Sequence, residues 1–308
     1  MAQLSCGSVA VGTRLAFACD SVNRMRATIA VCTWNRPRSV LGAVASAMAQ
    51  DHPSFEVVTV DDGSDNQARE VLSSAVGQGV RVVYQEHAGL NAARNVAVRE
   101  ARGDFVAFLD DDEEAAHDWL RELDAAMERH PDAGCVGGPL LAPDLPTPRT
   151  CTRCSLKDGE RDLGEPEREV DRVIGGNMAI PKWAFAKVGL FDDRISGIGD
   201  DDEWMRRARA LSLPIIHAPA ARILHLRDAS DYTLRRLTIR TWRKAHEIAR
   251  YHELLGIPAP ESIGGAPRQL GHALRFRCWA GALNAVACVG VSLWTVWLRL
   301  MNKASRQY

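Results

Sequence analysis

From residue 27 onward, short hydrophobic runs alternate with stretches of helical spacing. Thr28–Thr33 (TIAVCT) is rich in β-branched residues and free of charge, which predicts a buried strand. Asn35-Arg36-Pro37 then sets a proline where a first helical turn tolerates it, and the alanine-rich stretch to about Met48 predicts a helix. Phe55–Val60 (FEVVTV) predicts a second strand, ending in the polar turn Asp61-Asp62-Gly63-Ser64-Asp65. A helix near 67–76, a strand at Val80–Tyr84, a helix at about 91–101 and a strand at Asp104–Leu109 continue the series. Strands alternating with helices predict an α/β fold with a mostly parallel sheet covered on both faces. Ligands of such sheets gather beyond the carboxyl ends of the strands, where two acidic motifs stand, at 61–65 and 110–112.

The second half is less regular. Pro139–Arg172, rich in proline and charge, predicts a long surface loop, and Val173–Ile180 (VIGGNMAI) resumes regular structure. A helix is expected from about Asp201, short strands at 214–217 and 222–226, a basic amphipathic helix at 231–255 and a Gly/Pro-rich linker at 256–268. From Cys278 to Leu298 no residue is charged. A helix of that length spans roughly 31 Å, near the thickness of a hydrocarbon core. Arginines flank the run, and Trp294 and Trp297 sit near one boundary, as interfacial anchors do. This predicts a membrane-associating tail, either spanning or lying in the plane, with a helix packed on the body as the alternative. Residues 1–24 lack firm periodicity, and translation from Met25 is one explanation. The expected division is an extension at 1–25, a catalytic-type α/β unit at 26–230, a basic helix with linker at 231–268 and a helical tail at 269–308.

Composition narrows the function classes. The 308 residues carry a formal net charge of −1, with 46% hydrophobic and 25% charged residues, so a dedicated nucleic-acid binder is not expected. Charge is unevenly placed: acidic residues crowd 110–114 and 200–203, and none follows Glu261. Of 8 cysteines only Cys151 and Cys154 are closely spaced, without the second pair that a four-cysteine zinc site needs. Cys32, Cys278 and Cys288 read as small buried hydrophobes. Asp20 and Arg24 interrupt the first apolar patch and no cleavage site follows, so reduced thiols in the cytoplasm are expected.

Asp110-Asp111-Asp112 follows an apolar strand, and adjacent carboxylates repel one another unless a cation compensates. Such an oxygen-rich cluster suits Mg²⁺ or Mn²⁺ bridging a diphosphate, the alternative being a solvated loop that caps the next helix. In the 61–65 turn, Gly63 permits a sharp bend, and the carboxylates can accept from a ring N–H or ribose hydroxyls; an ordinary polar turn is the alternative. Trp183 and Trp204 suit either acceptor stacking or the core, and His217 either a ligand or a structural role.

The ordered series TIAVCTWNRP, VVTVDDGSD, GLNAARN, FVAFLDDDE, GGNMAI and GIGDDDEWMRR resembles the family-2 glycosyltransferases of GT-A fold, over roughly residues 27–227. The resemblance implies a Rossmann-like GT-A sheet with a helical C-terminal extension. It implies that Thr33, Asn35 and Arg36 meet the nucleotide, that Asp61 or Asp62 recognises base and ribose, and that Arg94 faces the nucleotide. Asp110 and Asp112 match the metal- and donor-binding carboxylates, with Asp111 at the variable middle position. His225 stands where some members place a further metal or phosphate ligand. Gly199–Trp204 resembles the Gly-Glu-Asp-x-Glu-Leu element, which makes Asp201 the general base. Asp200 in place of Glu and Trp204 in place of Leu leave open which aspartate reaches the acceptor. Gly176, Asn177, Asp200 and Trp204 are then the acceptor or sugar side, where Gly175-Gly176 would let backbone approach.

The implied activity is inverting transfer from a nucleoside-diphosphate sugar to a hydroxyl of a glycan, lipid-linked or small-molecule acceptor, with Mg²⁺ or Mn²⁺, at the inner face of the cell membrane. A single hydrophobic segment argues against a processive synthase with its own multi-span channel. A sugar-nucleotide nucleotidyltransferase would need an intact Gly-rich phosphate loop, and Val11-Gly12-Thr13-Arg14-Leu15 lacks the doubled glycine. A non-catalytic sugar-binding module would not need both acidic clusters.

Overall fold

The computed structural model describes residues 26–75, 79–141, 162–195, 197, 199–226 and 233–256, with 282 and 286 in isolation. The fragment 11–15, Cys151, Cys154, the linker after 256 and nearly all of the 278–298 tail lie outside the described residues.

The first strand, β1 (Ala27–Thr33), is buried along its whole length. Parallel to it lie β2 (Phe55–Asp62) on one side and β4 (Phe105–Asp110) on the other, and β3 (Val80–Gln85) extends the sheet beyond β2. Helices α1 (Ser39–Met48), α2 (Asn66–Ala75) and α3 (Leu90–Glu100) make the crossovers. Next come β5 (Glu113–Ala115), α4 (Trp119–Arg129), β6 (Cys135–Gly137), β7 (Leu140–Leu141) and β8 (Arg168–Glu169). They are followed by β9 (Met178–Pro181), α5 (Lys182–Val188), α6 (Asp200–Ala210), β10 (Ile215–His217), β11 (Ile223–His225) and α7 (Leu234–Leu255). The large sheet has the order β3-β2-β1-β4-β9-β6-β10-β8, and β5-β11-β7 form a separate small one. β9 runs antiparallel to both β4 and β6, so the sheet is parallel through its first four strands and mixed beyond them.

Two apolar layers sandwich the sheet. Val40, Val44, Trp119 and Leu123 pack on one face, and Ala93, Ala97, Phe185, Phe191 and Trp204 on the other. The parallel strands carry near-continuous apolar runs because both faces are covered. Two expectations need correction. Residues 173–180 are not one regular run: Gly175–Asn177 form a single 3-10 turn, and only Met178 starts a strand. The stretch 139–172 is not wholly a loop, since β7 and β8 lie within it. Among the described residues no helix is long and apolar enough to cross a membrane.

Candidate active site

Strand ends create the site. β2 continues two residues past Val60, so Asp61 and Asp62 are both strand residues and point to opposite faces. Asp61 is sealed, its carboxylate accepting from Ser64 N at 3.1 Å and Arg69 Nε at 3.0 Å. Asp62 faces a cavity of 350 Å³ that also takes in Thr33, Trp34, Arg36, His87 and Asp110–Asp112. Of the two carboxylates considered for base recognition, strand parity puts Asp62 on the cavity and Asp61 on the opposite face.

Asp62 is already heavily engaged. Its Oδ1 accepts from Gln85 Nε2 at 2.5 Å and Ala88 N at 2.8 Å, and its Oδ2 from Gly89 N at 2.9 Å, with His87 Nδ1 also 2.9 Å away. One carboxylate thus fixes the β3–α3 loop and the entry to α3, where Gly89 adopts a φ of 97°. His87 stacks on Trp34 with centroids 4.1 Å apart and planes inclined by 16°. Trp34 is 48% exposed, so this aromatic pair presents a flat edge at the cavity mouth. Sequence reasoning passed over both residues; the signal was a tryptophan directly after the strand-ending Thr33.

Asn35 sits at a φ of 53°, a left-handed conformation that asparagine tolerates. Its backbone N donates to Ser64 Oγ at 2.9 Å and its side-chain oxygen accepts from Asp65 N at 2.8 Å, which staples the loops after β1 and β2 together. Arg36 Nη1 lies 2.9 Å from both Asp111 and Asp112, and Thr33 Oγ1 donates to Asp111 at 2.7 Å. Burial pushes the Asp111 carboxyl up to about 6 against the pull of Arg36. Burial likewise raises Asp110, which Arg94 opposes and Asp112 reinforces.

Beneath Asp110 lies Glu113, buried and raised well above its ordinary value by desolvation and by Asp110 and Asp112. It accepts from Asp110 N at 3.1 Å. A Cβ on Gly176 would stand 2.3 Å from Glu113 Oε2, so this glycine makes room for a buried carboxylate. Across the small sheet, His225 is in register with Glu113, and its Nε2 is 3.5 Å from Asp112 Oδ2. His225 Nδ1 is buried without a hydrogen-bond partner. Nothing in the sequence separated Glu113 from the solvated acids beside it; only the β5 register buries it.

Helix α6 meets these strand ends through Arg94. Gly199, at a φ of 91°, caps it, and Asp200, Asp201, Asp202 and Glu203 fill the first turn, where the helix dipole favours negative charge. Asp200 is buried and its carboxyl is pushed up to about 8 by desolvation, against Arg94. Asp201 is half-buried, and its side chain lies 3.1 Å from where a Gly175 Cβ would be.

Three further residues stand away from the cavity lining. Arg94 does not line the cavity: at 2% exposure its guanidinium is drawn inward, 2.8 Å from Asp200 and 3.3 Å from Asp110, over the rings of Phe108 and Phe191. Trp204 is fully buried against Phe185 and Phe191 and donates to Gly189 O at 2.8 Å, because the α6 phase turns it into the core. Asn177 is also fully buried: it accepts from Trp119 Nε1 at 2.8 Å and donates to Pro139 O at 3.0 Å and Ala221 O at 2.8 Å. Neither side chain is exposed in this structure. Trp183 is 42% exposed on α5. His217 is buried on β10 with its Nε2 unpartnered, and burial lowers its pKa.

This architecture recurs in solved structures. GalNAc-T7 with UDP, GalNAc and Mn²⁺ superposes with a TM-score of 0.57 at 18% identity, over 78% of this chain and 53% of that one. TarS residues 1–349 of S. aureus with UDP gives 0.53 at 19% identity, over 75% and 71%. In sequence, a glucosyl-dolichyl phosphate glucuronosyltransferase of Haloferax volcanii is 29% identical over 189 residues, 57% of this chain and 59% of that protein. The succinoglycan biosynthesis protein ExoM of Rhizobium meliloti is 34% identical over 124 residues, 39% and 40%. The chain spans about half the length of the curated relatives it matches. The family profile described as glycosyl transferase family 2 matches residues 28–189, which hold the β1, β2 and β4 ends and the Gly175–Asn177 turn. With more than half of its length inside that match, the chain belongs to glycosyl transferase family 2.

Proposed function

We propose that the protein is an inverting glycosyltransferase that moves a sugar from a uridine or deoxythymidine diphosphate donor to a hydroxyl of a lipid-linked or growing glycan. The observation that carries this reading is the cluster of strand-end acids on one cavity and its link to the α6 N-terminus. Asp62 and Asp110–Asp112 line the cavity, and buried Arg94 ties Asp110 to Asp200, the residue before Asp201. The nucleotide-bound neighbours of the same fold support the donor class, and the relative acting on a dolichyl phosphate supports the acceptor class.

The donor's base lies against the Trp34–His87 edge beside Asp62, and Thr33 and Arg36 order the diphosphate side through Asp111. Among the described residues no group of three or more His, Cys, Asp or Glu is assembled as a metal cage. The donor chemistry nevertheless fits a hard divalent ion. Crowded carboxylates raise one another's affinity for positive charge, and the buried His225 turns one nitrogen to Asp112. Asp110 and Asp112, with His225, would hold Mg²⁺ or Mn²⁺, which neutralises charge on the departing diphosphate. Asp201 takes the proton of the acceptor hydroxyl as its oxygen attacks the anomeric carbon. Asp200, held by Arg94, positions it.

The test is incubation of purified protein with Mn²⁺ and a panel of radiolabelled nucleotide sugars. Release of free nucleoside diphosphate is expected. Pyrophosphate would instead identify a nucleotidyltransferase, and no turnover with any donor a binding module.

A further inference from the structure

Helix α7 opens on Thr233, whose Oγ1 accepts from Arg236 N at 3.4 Å, and ends at Gly256 with a φ of 63°. One side of it is seated on the loop before α6. A Cβ on Gly197 would come within 2.6 Å of Glu247 Cδ, and one on Gly199 within 2.6 Å of Tyr251 Cδ2, so both glycines admit that side of the helix at backbone distance. The other side faces outward. At a helical advance of about 100° per residue, Arg235, Ile239, Trp242, Arg243 and Arg250 share an arc of about 100°. All five are exposed, Trp242 at 75%. The acids of the helix are Glu247, towards the packed side, and Glu253, at the C-terminal end of the arc.

We propose that this face docks on an anionic lipid surface, with α7 lying in the membrane plane. A soluble polyanion would match the arginines but leave the indole and Ile239 in water. At a bilayer, the arginine stems lie along the apolar layer while their heads stay among phosphates, and the indole occupies the headgroup boundary. Gly199, on which α7 sits, is also the cap of α6, so docking holds the α6 start about one helix thickness, roughly 10 Å, from the lipid phase. That placement serves a lipid-linked acceptor and rests, in this respect, on the transferase reading; lipid docking itself does not.

The experiment is co-sedimentation of the full chain with vesicles of phosphatidylcholine alone and of an equal mixture with phosphatidylglycerol, at low and high salt. Wild type should bind the anionic vesicles preferentially and release in salt. Arg243→Glu and Arg235→Glu should each weaken that binding about fivefold or more, and Trp242→Ser should weaken it at both salts. Lys187→Glu, the same charge change on exposed α5, should leave it unaltered. All four variants should keep the wild-type melting curve and donor turnover, which separates a docking failure from a failure of the transferase reading. Three results overturn the proposal. They are wild type binding both vesicles equally, the α7 variants binding as Lys187→Glu does, and a wild-type dimer in light scattering that Trp242→Ser dissociates without changing vesicle binding, which assigns the face to a second copy.

Discussion

A guanidinium at 2% exposure needs counter-charge wherever water has been removed, and Arg94 finds it in two carboxylates from opposite walls of the site. Its planar fork spans Asp110 and Asp200 at once, which a lysine ammonium cannot do. Arg94→Lys should therefore lower kcat on the order of tenfold or more with a smaller change in donor Kd, because Arg94 grips the α6 start at 2.8 Å and the cavity-lining Asp110 more loosely, at 3.3 Å. Equal losses in kcat and donor affinity would instead mean that Arg94 acts on the nucleotide itself. Asp201→Asn tests the neighbouring assignment: it removes the proton acceptor, and transfer should fall at least a hundredfold with donor binding retained. Full turnover in that variant would shift the base to Asp200. Neither arginine burial nor the burial of Trp204 is legible in one dimension. A run such as DDDEWMRR reads equally as a solvated cap, and only the helix phase leaves Asp201 half-buried and sorts Trp204 to the core.

Among elements, the β3–α3 loop depends on Asp62 more than on its own residues. Three donors converge on that carboxylate, from Gln85, Ala88 and Gly89, and His87 Nδ1 lies 2.9 Å away. Asp62→Asn keeps the size but replaces one acceptor oxygen with a donor, which leaves at least one loop N–H unmatched at a cost of about 1–3 kcal/mol. Faster amide exchange confined to residues near 86–91, with weaker nucleotide binding, is expected. Exchange that speeds up equally across β1 and β4 would show a global loss instead. The parallel strands themselves are legible because both sheet faces are covered, so TIAVCT, FEVVTV and FVAFL stand out as apolar runs. β5, β7 and β8 are only two or three residues long and carry charge or little pattern, and their pairing is set by partners distant in sequence. The parity of Asp61 and Asp62 needed the strand end located to a single residue, which periodicity does not provide.

For the whole molecule, the buried acids set how stability follows pH. Asp111 is raised to about 6 and Asp200 to about 8, each chiefly by burial, and Glu113 is also well above its ordinary value. A carboxyl raised in this way binds more protons folded than unfolded. Its contribution is complete below the unfolded value near 4 and is lost as pH climbs through the folded value. Asp124 runs the other way: burial alone would raise it, but hydrogen bonds from His52 and Arg26 carry it below its ordinary value, so its contribution disappears only in stronger acid. Metal-free protein should thus melt progressively lower as pH rises from about 5 to about 8. Asp111 alone accounts for about 1–1.5 kcal/mol of that loss, a Tm change of a few degrees. A divalent cation binds the deprotonated cluster, so Mn²⁺ should raise Tm markedly at pH 8 and little at pH 5, and Asp111→Asn should flatten the metal-free slope. Thermal melts in EDTA and in Mn²⁺ across this range decide the matter. If Tm in EDTA is flat or rises towards pH 8, these carboxylates are ionised in the folded protein and the cluster is balanced by its arginines alone. In that case Arg36 and Arg94, not a metal ion, are the counter-charge around which the strand ends are built.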